Sequence, residues 1–136
     1  MFRVTTEPLS VQRVNDLVKR STDGAVVSFD GIVRNNFDGR PVLYLEYEAY
    51  AAMAEKKLAE IGAEVQQKFA VGEIAMMHRI GRLEIGESSI VIAVAAPHRH
   101  AAFEACAYAM DLVKAEIPVW KKEFFADGAD HWVNQN

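Results

Sequence analysis

The stretch that most constrains this chain runs over residues 96–125, AAPHRHAAFEACAYAMDLVKAEIPVWKKEFF. An apolar run over residues 90–96 stops at Pro97-His98-Arg99-His100, and a helical pattern begins there. Ala102, Phe103, Cys106, Met110, Val113 and Ile117 recur at helical steps and predict one apolar stripe. His100, Ala107 and Lys114 are spaced close to two turns apart, so they share a line that puts Lys114 at the stripe's margin. Pro118 closes the helix, because proline lacks the N–H and disfavours helical geometry in the residue before it. Residues 119–125 then predict a strand carrying Lys121 and Lys122 beside aromatics. A helix-to-strand corner between Lys114 and Lys121 would bring both to one pocket. In a chain of net charge −4, gathering His, Arg and Lys at element ends predicts a held anion.

Upstream, Ser10 can cap a short helix with Val11, Val14, Leu17 and Val18 inward. Residues 25–33 (AVVSFDGIV) predict a β-branched strand with a bulge or close approach at Gly31. A polar loop bearing Arg34 and Arg40 follows. Residues 42–50 alternate, with Leu43, Leu45, Tyr47 and Ala49 on one face, and predict a half-buried strand, antiparallel to the first if the loop closes a long hairpin. A second helix is expected over residues 52–69, with Ala54, Leu58, Ile61, Val65 and Phe69 inward. Strands over 74–80, 82–85 and 89–96 come next, punctuated by Gly81 and Gly86. The order α-β-β-α-β-β-β-α-β predicts an α+β fold, a mixed and mainly antiparallel sheet with flanking helices.

A length of 136 residues predicts a single domain, 1–136, able to bury a real core. The acidic balance argues against nucleic acid as the partner, because a phosphate backbone rewards an excess of Lys and Arg. No apolar run approaches the roughly 20 residues that span a bilayer. One cysteine leaves the compartment open, with the cytoplasm as the default.

Each candidate group has a plainer reading beside it. Cys106 lies mid-helix on the apolar stripe, away from the helix end that would activate it, and reads as a small core hydrophobe. His98-x-His100, with His78 and His131, lacks the four-ligand spacing of a structural zinc site, so no metal is expected. Arg99 at a helix start can clamp an anion, or pair with Glu104. Lys114 and Lys121 can be solvated, or they can be desolvated enough to move protons. The loop from Arg34 to Arg40 can be a lid, a subunit contact or an ordinary hairpin tip.

Set in order, the residues carry a resemblance. Gly24-Ala-Val-Val-Ser-Phe-Asp-Gly-Ile-Val-Arg-Asn, Leu45-Glu-Tyr-Glu-Ala-Tyr, His78-Arg-Ile-Gly-Arg-Leu and Ile85-Gly-Glu come first. Pro97-His98-Arg99, Met110-Asp111-x-x-Lys114 and Pro118-Val-Trp-Lys121-Lys-Glu123 complete the set. Together they resemble the large, catalytic subunit of molybdopterin synthase, over about residues 10–132. The resemblance implies an α/β hammerhead-like fold and a homodimer that binds a small ubiquitin-like subunit at each end, a heterotetramer. The small subunit's C-terminal Gly-Gly thiocarboxylate would donate sulfur to cyclic pyranopterin monophosphate, with no metal or organic cofactor. It implies Lys114 where the thiocarboxylate arrives and Lys121 at the pterin, oriented by Glu123. His98 and Arg99 would hold the substrate's phosphate, with Arg34 assisting from the neighbouring subunit. The departures are His100, Lys122 in place of a common arginine, and a short tail after Trp132.

Overall fold

The strand Ser88–Ala96 (SSIVIAVAA) is buried along nearly its whole length, and the fold is built around it. The computed structural model describes residues 1–134. In chain order the elements are β1 (Phe2–Thr5), α1 (Val11–Val18), β2 (Ala25–Ile32), β3 (Asn36–Phe37), β4 (Arg40–Ala49) and α2 (Ala51–Lys68). Then come β5 (Ile74–Arg79), β6 (Gly81–Glu84), β7 (Ser88–Ala96), α3 (Arg99–Glu116), β8 (Val119–Phe125) and β9 (Asp130–Asn134). The period of two along β7 sends alternate residues to opposite sides. Ile90, Ile92 and Val94 join the main core, whereas Val91, Ala93 and Ala95 meet Val14 and Val18 of α1. Apolar residues on both faces are what a strand covered on both sides requires.

Two sheets result. The first has the order β1-β5-β7-β2, with β1 parallel to β5 and the other pairs antiparallel. The second runs β3-β4-β8-β9, with β6 also on β4, and is antiparallel throughout. Helix α2 sends Ala54, Leu58, Ile61 and Val65 into the core between them. Each large aliphatic buried this way contributes on the order of 1.5–3 kcal/mol. Gly62 lets α2 approach β1, since a Cβ there would overlap the Phe2 ring. Among the described residues no helix is long and apolar enough to cross a membrane.

All nine expected elements form, and three short strands join them. β1 has only one buried residue, Val4, and is defined by its register on β5, which no local pattern announces. β9 likewise exists because β8 offers it an edge. Four finer expectations are corrected. β2 and β4 do not form a hairpin; they lie in different sheets. Val33, just past β2, exchanges backbone bonds with Glu87 and Gly86 at 3.0 and 2.9 Å, and the chain then leaves for the second sheet.

Leu43 is exposed and Val42 buried, because an irregular register against β8 between Val42 and Tyr44 reverses the strand's parity. Leu17 is also exposed. In a two-turn helix whose stripe is centred on Val14 and Val18, position 17 falls on the other flank. In α3 the buried stripe is Ala102, Ala105, Cys106, Ala109 and Val113, so Phe103 is turned out, at 60 % exposure. Small residues let α3 sit close to the sheet, and Phe103 and Met110 flank a groove along β2 instead.

Candidate active-site cleft

Alternation along β8 places Val119, Lys121, Glu123 and Phe125 on the face toward the core, and two of these four are charged. Charged residues at core-facing positions are errors of patterning unless a function requires them. Glu123 is 3 % exposed. Its Oε1 lies 3.3 Å from Lys121 Nζ, and its Oε2 is buried without a hydrogen-bond partner. On the neighbouring strand Tyr47 stands opposite Lys121, and Leu45 opposite Glu123.

Lys121 emerges into a cleft of about 460 Å³ that Arg34, Tyr47, Ser89, Met110 and Lys114 also line. A smaller adjoining cavity of about 60 Å³ is shared by Arg34, Tyr47, Lys121 and Glu123. Lys114 is in the last turn of α3, where a cation is favoured by the helix dipole. Helix end, Pro118 corner and strand thus converge as the spacing predicted. Three cations face this cleft against two carboxylates, buried Glu123 and Asp30, and Asp30 accepts the Ser88 hydroxyl at 2.6 Å. Such a balance suits an anionic ligand.

The structure brings Arg34, Lys114, Lys121 and Glu123 together within one chain. Arg34 thus lines the cleft of its own chain. His98 and Arg99 stand elsewhere: His98 is the N-cap of α3 and Arg99 its first residue, both exposed. The helix rise separates Arg99 from Lys114 by roughly 22 Å. Among the described residues Arg99 makes no ion pair with Glu104. Arg40 is structural, bound to Asp127 at 3.0 Å and stacked 3.8 Å over the Phe125 ring. Lys122 lies on the opposite face of β8, 5.3 Å from the rings of both Phe124 and Trp132.

Cys106 is buried and free, and burial pushes its thiol up to about 11, which leaves it without thiolate character. Among the described residues no group of three or more His, Cys, Asp or Glu could hold a metal. Sequence reasoning missed Tyr47 and Ser89 as site residues. For Ser89 the signal was the bulge read at Gly31, whose partner strand was not knowable from local pattern; for Tyr47 it was the pairing of β4 with β8, which no local pattern announces.

His78 is fully buried, with Nδ1 2.8 Å from the Arg79 carbonyl oxygen and its ring edge-on to Tyr47 at 5.1 Å. Burial lowers its pKa to about 4. The folded state thus holds fewer protons than the unfolded one between about pH 6.5 and 4. Its contribution to stability is complete above the unfolded value and lost as pH falls through the folded one. Urea unfolding should show about 3 kcal/mol less stability from this group at pH 4 than at pH 7. His78→Met should flatten the profile across that window, and equal pH slopes in the two proteins would contradict the assignment.

Taken together, the two sheets, the helix-to-strand corner and the cationic cleft define an α+β domain with an anion-accepting, lysine-bearing site. Its residues 4–116 match the model of the MoaE protein family. The molybdopterin synthase catalytic subunit of Nostoc sp. is 44% identical over 134 residues, 98% of this chain and 81% of that protein. The crystal structure of molybdopterin synthase from Staphylococcus aureus superposes with a TM-score of 0.92 at 41% identity, covering 97% of this chain and 96% of the other. A chain from a complex of subunits 1 and 2 of the molybdopterin-converting factor of Helicobacter pylori shares the fold, with a TM-score of 0.75 at 20% identity, covering 96% and 88% of the two chains. This chain belongs to the MoaE family of molybdopterin synthase catalytic subunits, enzymes of molybdenum cofactor biosynthesis.

Proposed function

We propose that the protein transfers sulfur from the C-terminal thiocarboxylate of a small ubiquitin-like subunit to cyclic pyranopterin monophosphate, building the dithiolene of molybdopterin. The observation that carries this reading is the convergence of Lys114 and Lys121, from two elements, in one cleft with Arg34. Sulfur transfer from an acyl donor develops negative charge on the acyl oxygen and moves protons at the acceptor. Two lysines and an arginine meet both needs. Lys114, at the cleft's exposed side, receives the donor's tail; Lys121, held by Glu123, acts at the pterin. The Helicobacter pylori protein that shares the fold is itself found in a complex of two subunits.

The substrate's phosphate needs a second clamp, and a second copy of the chain can supply it. β2 is an unpaired edge of the first sheet, and Phe29, Ile32 and Phe103 are exposed beside it. Gly24, at the start of β2, donates its N–H to the Pro97 carbonyl at 3.3 Å, so the starts of β2 and α3 lie together. Ile32 and Arg34, at the other end of β2, line the cleft with Lys114. If two copies meet edge to edge about a two-fold axis, the start of one β2 faces the end of the other. The rise of an eight-residue strand, about 23 Å from first to last Cα, matches the helical separation of Arg99 from Lys114. His98 and Arg99 of one copy then reach the cleft of its partner. In this reading the homodimer with two small subunits is a heterotetramer.

The test is reconstitution. The protein, a small subunit bearing a C-terminal thiocarboxylate, and the cyclic pyranopterin should together yield dithiolene, whereas the same subunit ending in an ordinary carboxylate should yield none. Absence of product with the thiocarboxylate would remove the reading.

A further inference from the structure

The groove along β2 has a symmetry that the reading above leaves unused. It measures about 430 Å³ and is lined by Val27, Ser28 and Phe29 of β2 and by Phe103, Ala107 and Met110 of α3. The two elements run the same way: their starts meet where Gly24 bonds to Pro97, and their ends meet at the cleft. The middle of β2 therefore lies beside the Ala107 turn of α3. An eight-residue edge that pairs along its whole length with its own copy has the two-fold axis at its middle. That axis passes beside Ala107. His100 and Lys114 lie seven residues to either side of Ala107 on one line, so the rotation brings His100 of one copy opposite Lys114 of the other. The spacing is right as well. α3 packs on β2 and β7 alike, so its axis lies about half a strand spacing inside the edge. Across the joined sheet the two copies of α3 are then roughly 10 Å apart, the packing distance of a helix pair. Phe103, 60 % exposed in one copy, gains Met110 of the other as cover.

We propose that His100 is a further anion-binding residue of the cleft, contributed by the partner copy: its imidazole faces Lys114 across the two-fold and donates an N–H to the oxyanion held there. This rests on the reading that two copies meet along β2. His100, Ala107 and Lys114 are all exposed, so the line they form is open to a second copy. Among the described residues the His100 and Lys114 side chains have no ion-pair or hydrogen-bond partner in their own copy. His98 precedes the helical period as the N-cap, whereas His100 lies within it, and its place relative to Lys114 follows from the helix itself. An imidazole offers an N–H in either tautomer. Set against an ammonium on the other side of one oxyanion, it adds a charge-assisted hydrogen bond without requiring a second fixed cation. The oxyanion is either the substrate's phosphate or the donor's acyl group, since both arrive at the Lys114 end of the cleft.

The experiment tests the geometry and the role separately. Ala107→Cys puts a thiol beside the axis, so mild oxidation should join two copies through residue 107. Glu104→Cys, turned away from the groove on the same helix, should stay unlinked, and the unaltered protein, whose Cys106 is buried, is the blank. His100→Ala and His100→Asn are then titrated by calorimetry with the cyclic pyranopterin and with the thiocarboxylated small subunit, with Tm measured on the same preparations. His100→Ala should weaken one of the two by about tenfold at unchanged Tm, and His100→Asn, which keeps an N–H donor, should recover much of the loss. A loss for the pterin identifies the phosphate as the oxyanion, and a loss for the small subunit identifies the acyl group; either supports the proposal. Normal affinity for both ligands, in a protein that cross-links through Ala107→Cys, would overturn the proposal alone. Failure of Ala107→Cys to cross-link would overturn the two-fold along β2 on which it rests. An affinity loss that follows a lowered Tm, or that His100→Asn does not relieve, would make the role of His100 structural and so also overturn it.

Discussion

Lys114→Arg should fold, dimerise and bind the small subunit, yet lose dithiolene formation by roughly two orders of magnitude or more. Lys114 is exposed in the last turn of α3. Arginine there preserves both the favourable charge at the helix end and the helix propensity. What it cannot preserve is the chemistry. A guanidinium does not readily give up a proton, and its planar head is broader than an ammonium at the point where the donor's sulfur must arrive. Single-turnover product formation beside a binding titration separates the two effects. Near-normal turnover would take Lys114 out of the mechanism. Lost binding with normal turnover per complex would make it a docking residue.

Arg99→Ala should weaken binding of the phosphate-bearing substrate by roughly ten- to a hundredfold, as expected when a charge-assisted, bidentate contact worth about 1.5–3 kcal/mol is removed. Folding should be unaffected. Arg99 is exposed, and α3 is held by Ala102, Ala105, Cys106, Ala109 and Val113 further along. Calorimetric titration with the cyclic pyranopterin measures the effect directly, and unchanged affinity would sink the assignment. The variant is informative because Arg99 is far from the cleft of its own chain. A large loss of affinity would be hard to explain within one copy.

Much of this was legible in the chain because it was written locally. The Ser10 cap, with its 3.3 Å bond from the Arg13 N–H, the Pro118 corner and the Gly31 bulge each depend on a few neighbouring residues. So does the meeting of Lys114 with Lys121 across that corner. The errors came where parity or pairing is decided at a distance. One irregular step against β8 exchanged Leu43 for Val42 in the core. The exit of the chain after Val33 separated β2 from β4 into two sheets, which no alternation pattern distinguishes from a hairpin. A periodic stripe also could not say that alanines, not Phe103, would meet the sheet, since that choice depends on how closely the helix must approach. Tyr47 read as an inward-facing strand residue, which it is. Only the pairing of β4 with β8 turns it into part of a site.

The shared site is tested most directly by mixing Lys114→Arg and Arg99→Ala protomers and assaying dithiolene formation at subsaturating pterin. If each cleft takes its phosphate clamp from the other copy, a mixed dimer has one cleft with both residues intact and one with both altered. Random re-association makes half the dimers mixed, so activity should recover to about a quarter of the unaltered protein's, well above either parent. Activity no higher than the average of the two parents would show that Arg99 and Lys114 serve the same cleft from one chain, or different clefts altogether.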